Sequence, residues 1–264
     1  MDSTDFAHEV GHIAQSFVDA RRAGRSLPDY PGTVPVALAD AYAVQDAAIA
    51  LNEAEIGGWK VGRINPPIDG VDRLAGPIFT SQIVEATAEP VAMPVFVGGF
   101  AAAEAEFLLR IGVTPPAGKT RFTHEEAAAL IDAVHVGIEI ASSPLAAIND
   151  LGAAVTISDF GNNNGLVIGA AIRDWQRAEI DSWPLAVAID GDVIGTGKAE
   201  DMLDGPVGAA RFLFELMAER GIALKPGQWI SSGAVTGVHA VRIGERIEAR
   251  FGTDLAVECT IKAS

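Results

Sequence analysis

The stretch Val134-His-Val-Gly-Ile-Glu-Ile140 constrains this chain more than any other. Its apolar residues fall at every second position, and a strict period of two belongs to a β-strand, whose successive side chains point to opposite faces. Val134, Val136, Ile138 and Ile140 form one face, leaving His135, Gly137 and Glu139 on the other. A chain built on such a strand buries the first face in a sheet-based core and must find a use for the acid on the second. Ala101–Gly112 raises the same problem twice. Read as a strand, which its length and the Gly112 stop favour, it places Glu104, Glu106 and Leu108 on one face and Ala105, Phe107 and Leu109 on the other. Two carboxylates roughly 7 Å apart on one face repel unless a cation lies between them or one takes up a proton. A helix, which the Ala and Leu content also suits, would separate them by about 200° and remove the conflict.

Three carboxylates on two strands suit a hard cation such as Mg²⁺ or Mn²⁺, which takes oxygen ligands and keeps positions open for water and substrate. The same residues also suit the solvated faces of half-exposed strands, and an E-x-E pair does not by itself choose between the two.

Charge narrows the partners. Against 35 acids stand 19 lysines and arginines, a net charge of −16, whereas a nucleic-acid partner needs a basic face. One cysteine, Cys259, allows no internal disulfide and points to a reducing compartment. The start, Met1–Asp5, lacks the basic opening and apolar core of a signal peptide. No apolar run reaches the length of a membrane span, the Met93–Ala103 run being short and interrupted by glycine. A soluble cytoplasmic protein with no membrane partner is expected.

Helices come first. Phe6, Val10, Ile13, Ala14, Phe17 and Val18 recur at spacings of three and four before Gly24, predicting a helix over 5–23. Residues 38–54 predict a second, ended by Gly57-Gly58. From Trp59 the texture turns to short runs broken by Gly and Pro, with strands expected at 59–64, 91–98, 103–111, 134–141, 165–170, 184–190, 228–233 and within 246–259. Two helices interrupt them. Thr123-His-Glu-Glu126 has capping-box spacing before Ala127–Val134. Asp204-Gly-Pro206 opens a longer helix that ends at Gly221. The pattern is α+β, with a helical segment over 1–58 and a mostly β body over 59–264.

Other residues offer chemistry. Lys60, in Gly57-Gly-Trp-Lys-Val-Gly-Arg63, has glycines clearing space around it. A partly desolvated lysine serves as acid or base near neutral pH, and a surface lysine beside a turn has the same sequence. Ile157-Ser-Asp-Phe-Gly-Asn-Asn-Asn-Gly165 supplies amides able to hold a carboxylate, with Asp159 and Asn162 as candidates; Ile230–Gly237 supplies hydroxyls at a strand end, with Ser232 as candidate. Turn chemistry accounts for both stretches equally well. His8 and His12 lie four apart on the first helix without an H-E-x-x-H frame. Ser231 and Ser232 lack a G-x-S-x-G elbow, and neither a P-loop nor a dinucleotide fingerprint is present.

Six of these pieces occur in one order. Asp40-Ala-Tyr-Ala-Val-Gln45, Gly58-Trp-Lys-Val-Gly62, Glu104-Ala-Glu106, Ile138-Glu139, Ile157-Ser-Asp159 and a late Ser-Gly-Ala strand resemble the 2-keto-4-pentenoate hydratases of the fumarylacetoacetate hydrolase superfamily. The resemblance implies an N-terminal helical segment on a mixed β-roll and a homo-oligomer. It implies Mg²⁺ or Mn²⁺ on Glu104, Glu106 and Glu139, a small 2-oxo or 2-hydroxydienoic acid as substrate, and Lys60 as proton carrier. Related members are 4-oxalocrotonate decarboxylases and 2-oxo-hept-3-ene-1,7-dioate hydratases of aromatic catabolism. Decarboxylation, C–C hydrolysis of an acylpyruvate and a non-catalytic accessory subunit are the alternatives. The chain departs from the family in three places. Ser81 stands at an acidic position, Arg63 replaces an apolar residue, and Ser142-Ser-Pro-Leu145 lacks an arginine that follows the third carboxylate. Arg63 is thereby a candidate partner for a second substrate carboxylate.

Overall fold

The computed structural model describes residues 3–264, with side chains from Phe6 onward; the reading made on Met1–Asp5 lies outside the described side chains. Two helices open the chain, α1 (Ser3–Arg22) and α2 (Leu38–Asn52). Then come β1 (Ile56–Ile68), β2 (Val71–Phe79), β3 (Ile83–Glu85), β4 (Val91–Val95) and β5 (Phe100–Ile111), followed by α3 (His124–Ala128), β6 (Ile131–Ser143), α4 (Ala153–Ser158) and β7 (Asn163–Ala171). The rest is β8 (Pro184–Ile189), β9 (Asp192–Lys198), α5 (Gly205–Glu219), β10 (Trp229–Ser231), β11 (His239–Ala240), β12 (Arg246–Phe251) and β13 (Leu255–Ala263).

The strands form two mixed sheets. The larger runs β2-β1-β10-β5-β6-β7-β3 with β11 beside β5, and the smaller runs β4-β13-β12-β8-β9. Pairing is parallel for β1 with β10, β3 with β7 and β13 with β4. The apolar face of β5 and β6 fills the core between sheets and α5, and Ala105, Phe107, Leu109, Val136 and Ile138 are all fully buried there. This matches the expected α+β architecture of helices on a mixed β-roll.

The N-terminal helices share a core with the body. Ile13, Phe17, Val44 and Ala48 pack with Phe79, Leu145, Val155 and Phe160, and β1 already begins at Ile56. Among the described residues no helix is long and apolar enough to cross a membrane.

The structure corrects one local expectation and adds elements that the sequence pattern did not show. The Thr123 box forms, with its hydroxyl accepting from the Glu126 N–H. Its helix nevertheless ends at Ala128, because from Ile131 the period-two pattern takes over and Val134 belongs to β6. Val71–Phe79 is a strand although Pro77 lies inside it; β2 is an edge of the sheet, where a residue without N–H costs no ladder bond. Asp192–Lys198 is likewise an edge strand, largely exposed, so no face of it carries an apolar pattern. Ala153–Ser158 forms one and a half turns of helix in which β-branched residues are held by burial of Val155 and Ile157.

Candidate metal centre

β5 and β6 pair antiparallel with Glu104 opposite Glu139 and Glu106 opposite Gly137. Directly opposed residues share a face, so the register turns three acids inward together. One oxygen from each lies within 4.8 Å of the others. Glu106 and Glu139 are fully buried and Glu104 is 5% exposed. The stretch is therefore a strand, and its acids do not form a solvated face.

β10 and the start of β7 hold two of them in place. Ser231 Oγ donates to Glu106 Oε2 at 2.5 Å, and the Gly233 N–H donates to the same oxygen at 2.8 Å. Asn163 Nδ2 donates to Glu139 Oε1 at 2.8 Å. The remaining oxygens, Glu106 Oε1 and Glu139 Oε2, are buried and accept no hydrogen bond. Lys60 Nζ stands 3.4 Å from Glu139 Oε2 as an ion pair. A buried carboxyl oxygen with no partner, as Glu106 Oε1 is, is costly. An all-carboxylate donor set with idle inward oxygens fits a hard divalent cation.

Electrostatics show the strain of the cluster. Burial pushes the Glu104 carboxyl up to about 7, with Lys60 opposing and Glu139 adding to the shift. Burial, then Glu139 and Glu104, hold Glu106 well above the usual carboxylate range. For Lys60 burial pulls the ammonium down, but Glu139, Glu104 and Glu106 together outweigh it and the group is held above its ordinary value. This corrects the expectation that desolvation brings Lys60 toward neutrality: its glycine surroundings bury it against three acids.

A cavity of about 720 Å³ opens beside the cluster, and Lys60, Arg63, Glu104, Asn162 and Ser232 line it. Ser232 Oγ and Asn162 Oδ1 are buried there without hydrogen-bond partners. Arg63 is exposed on its wall. The remaining candidate, Asp159, is elsewhere: it is buried in an ion pair with Arg21, 2.5 Å from Nε, and accepts from Ser143 Oγ at 2.6 Å. Its carboxylate is consumed by these groups. Ser81 lines a second cavity, of about 510 Å³, together with Arg21 and Gln82. Arg21 Nη2, from α1, donates to the Ser142 carbonyl at 3.2 Å.

Sequence reasoning missed Arg21, Asn163 and Ser231. Asn163 and Ser231 lie within quoted stretches, where alternation from the neighbouring strand was the available signal. Arg21 carries none, being 138 residues from Asp159.

No family model matches the chain. It is 24% identical over 248 residues to a 2-keto-4-pentenoate hydratase of Paraburkholderia xenovorans, covering 90% of this chain and 89% of the relative. A 2-keto-4-pentenoate hydratase of Pseudomonas putida matches to the same extent. Among solved structures, the 4-oxalocrotonate decarboxylase of Pseudomonas putida G7 in complex with magnesium and adipate superposes with a TM-score of 0.79 at 18% identity, over 96% of this chain and 97% of that one. A fumarylpyruvate hydrolase from Pseudomonas aeruginosa in complex with Mn²⁺ and pyruvate gives 0.58 at 16% identity, over 78% and 89%. The chain thus has the fold of the fumarylacetoacetate hydrolase superfamily, and along nine-tenths of its length its sequence is similar to 2-keto-4-pentenoate hydratases.

Proposed function

We propose that the chain is a divalent-metal-dependent hydratase that adds water to a 2-hydroxy-2,4-dienoate and yields a 4-hydroxy-2-oxo acid. The observation that carries this reading is the convergence of Glu104, Glu106 and Glu139 with Lys60 at the wall of one cavity. Similarity to hydratases supports the reaction. A Mg²⁺ or Mn²⁺ ion held by the three carboxylates would supply the positive charge that binds a 2-oxo acid and stabilises its enolate. Lys60 moves the proton between dienol and keto tautomers. Three carboxylates, one ammonium and a divalent cation sum to zero, so sharing the carboxylate charge loosens their hold on the Lys60 proton. Ser232 donates its unpartnered hydroxyl to a substrate oxygen, and Asn162 accepts from a substrate hydroxyl or an ordered water. Arg63 meets a second carboxylate on substrates that carry one. Water from the cavity then adds across the double bond conjugated with the 2-oxo group.

Decarboxylation is the second reading, favoured by the close superposition on a 4-oxalocrotonate decarboxylase. Incubating the protein with 2-hydroxypenta-2,4-dienoate and Mg²⁺, with an EDTA control, tests the proposal through product mass. Metal-dependent gain of water is expected, and turnover unaffected by EDTA would reject it. Loss of CO₂ from a 4-oxalocrotonate-like acid in place of hydration would move the assignment to the decarboxylases. Bound metal with no turnover of any 2-oxo acid would make the chain an accessory subunit. The same reading carries a homo-oligomer, and a solution mass of 27.5 kDa, that of one chain, would count against it.

A further inference from the structure

We propose that Arg21, on the N-terminal helix, is a positioning residue for the metal centre: it clamps both ends of the Asp159–Asn164 loop and so sets Asn163 on Glu139. The inference rests on the reading of the three carboxylates as metal ligands. Arg21 is nearly buried, its side chain 9% exposed. Before the loop, Nε and Nη2 grip Asp159 at Oδ1 and Oδ2, at 2.5 and 2.9 Å, a bidentate pair that fixes direction as well as distance. After the loop, Nη1 donates to Asn164 Oδ1 at 3.2 Å. The rings of Phe96 and Phe160 flank the guanidinium at 5.4 and 5.2 Å.

The segment between these grips needs holding. Phe160, Gly161 and Asn162 have φ of 53°, 67° and 66°, and the left-handed region costs non-glycine residues roughly 1–2 kcal/mol each. Every residue of it meets the site. The Phe160 carbonyl and Gly161 lie against Gly76, the cross-strand partner of Lys60. A Cβ on Gly161 would also approach Lys60 Cδ to 3.0 Å. Asn162 lines the cavity, and Asn163 donates to Glu139. A helix far from the cluster in sequence therefore sets one ligand's orientation and the space around Lys60. Partners that orient a metal ligand are typically worth 10–100-fold in metal affinity.

Mn²⁺ binding measured by calorimetry on the full chain, with thermal midpoints alongside, tests this. Arg21→Lys keeps the charge and loses the fork. Arg21→Gln with Asp159→Asn removes both charges together, so neither is left buried alone. Each is expected to weaken Mn²⁺ binding about tenfold. Asn163→Ala should do the same, and combining it with Arg21→Lys should add little. Arg22→Ala is the control, because Arg22 donates to the Leu51 carbonyl and ties α1 to α2 without touching the loop; it should bind Mn²⁺ as the wild type does, whatever its midpoint. Wild-type affinity in a folded Arg21 variant would overturn the clamp alone, as would an equal loss in Arg22→Ala. Absence of Mn²⁺ binding by the wild type would overturn the metal centre and the clamp with it.

Discussion

Glu106 has one oxygen committed and one idle: Ser231 and Gly233 both donate to Oε2, while Oε1 is buried with no partner. Glu106→Gln keeps the shape and removes a charge; its amide oxygen stays with the Ser231 hydroxyl and the Gly233 N–H, so an NH₂ donor replaces the idle Oε1. It should weaken Mn²⁺ binding by at least about tenfold, and unchanged affinity in calorimetry would remove Glu106 from the ligand set. Lys60 poses the opposite case, a buried cation whose charge is stabilised by the acids beside it. Lys60→Ala should leave metal affinity intact or tighter, since one positive charge has gone. Turnover should fall by about 10²-fold or more, in line with a lost general acid–base group. A near-normal rate would exclude it as the proton carrier. Asp159 has its two oxygens occupied by Arg21 and Ser143, and its weight in the site is carried through the loop that follows it.

At the scale of elements, the site is a consequence of register. Once β5 and β6 pair with Glu104 opposite Glu139, convergence of the acids follows from the pleat. The shared face of Glu104 and Glu106 was legible, because the apolar residues of 134–140 and the acids of 104–106 alternate with the same period, whereas their convergence with Glu139 was expected only from the family resemblance. The pairing partner was not legible, and neither was β2, since Pro77 hides a strand unless its edge position is known. The sequence of the Asp159–Asn164 loop suits a carboxylate-holding loop and turn chemistry equally, and its backbone is left-handed at Phe160, Gly161 and Asn162; its tie to α1 depends on a contact no local pattern encodes. Two glycines test this arrangement in opposite directions. A Cβ on Gly76 would sit 2.1 Å from the Phe160 carbonyl oxygen, a backbone atom that cannot rotate away. Gly76→Ala should cost on the order of 2 kcal/mol and weaken Mn²⁺ binding by displacing the loop. A Cβ on Gly11, within α1, meets nothing within 4 Å. Gly11→Ala should stabilise by about 0.5–1 kcal/mol and leave Mn²⁺ affinity unchanged. Paired thermal melts and titrations check both, and equal midpoints for the two variants would contradict the packing described.

For the molecule as a whole, the three candidate ligands lie buried on β5 and β6 in the middle of the larger sheet, so occupancy of the site bears on global stability. The chain carries a net −16, and at its centre burial pushes Glu104 up to about 7 and holds Glu106 well above the carboxylate range. In the metal-free protein these groups keep protons that the unfolded chain releases above its carboxylate pKa of about 4.3. The folded state therefore binds more protons than the unfolded one from about pH 4.3 to 7, and stability falls as pH rises through that window. A divalent cation competes for the same oxygens and binds their deprotonated forms. Its stabilisation must grow with pH while the metal-free protein weakens. Thermal melts in saturating Mn²⁺ and in EDTA should differ little at pH 5 and by roughly 5 °C or more at pH 8, with the EDTA midpoint declining between them. Glu106→Gln, which removes one of these displaced protons, should flatten both the decline in EDTA and the rise with Mn²⁺. A midpoint gap independent of pH would mean that the cation binds away from the buried carboxylates, and the assignment of Glu104, Glu106 and Glu139 as its ligands would fall.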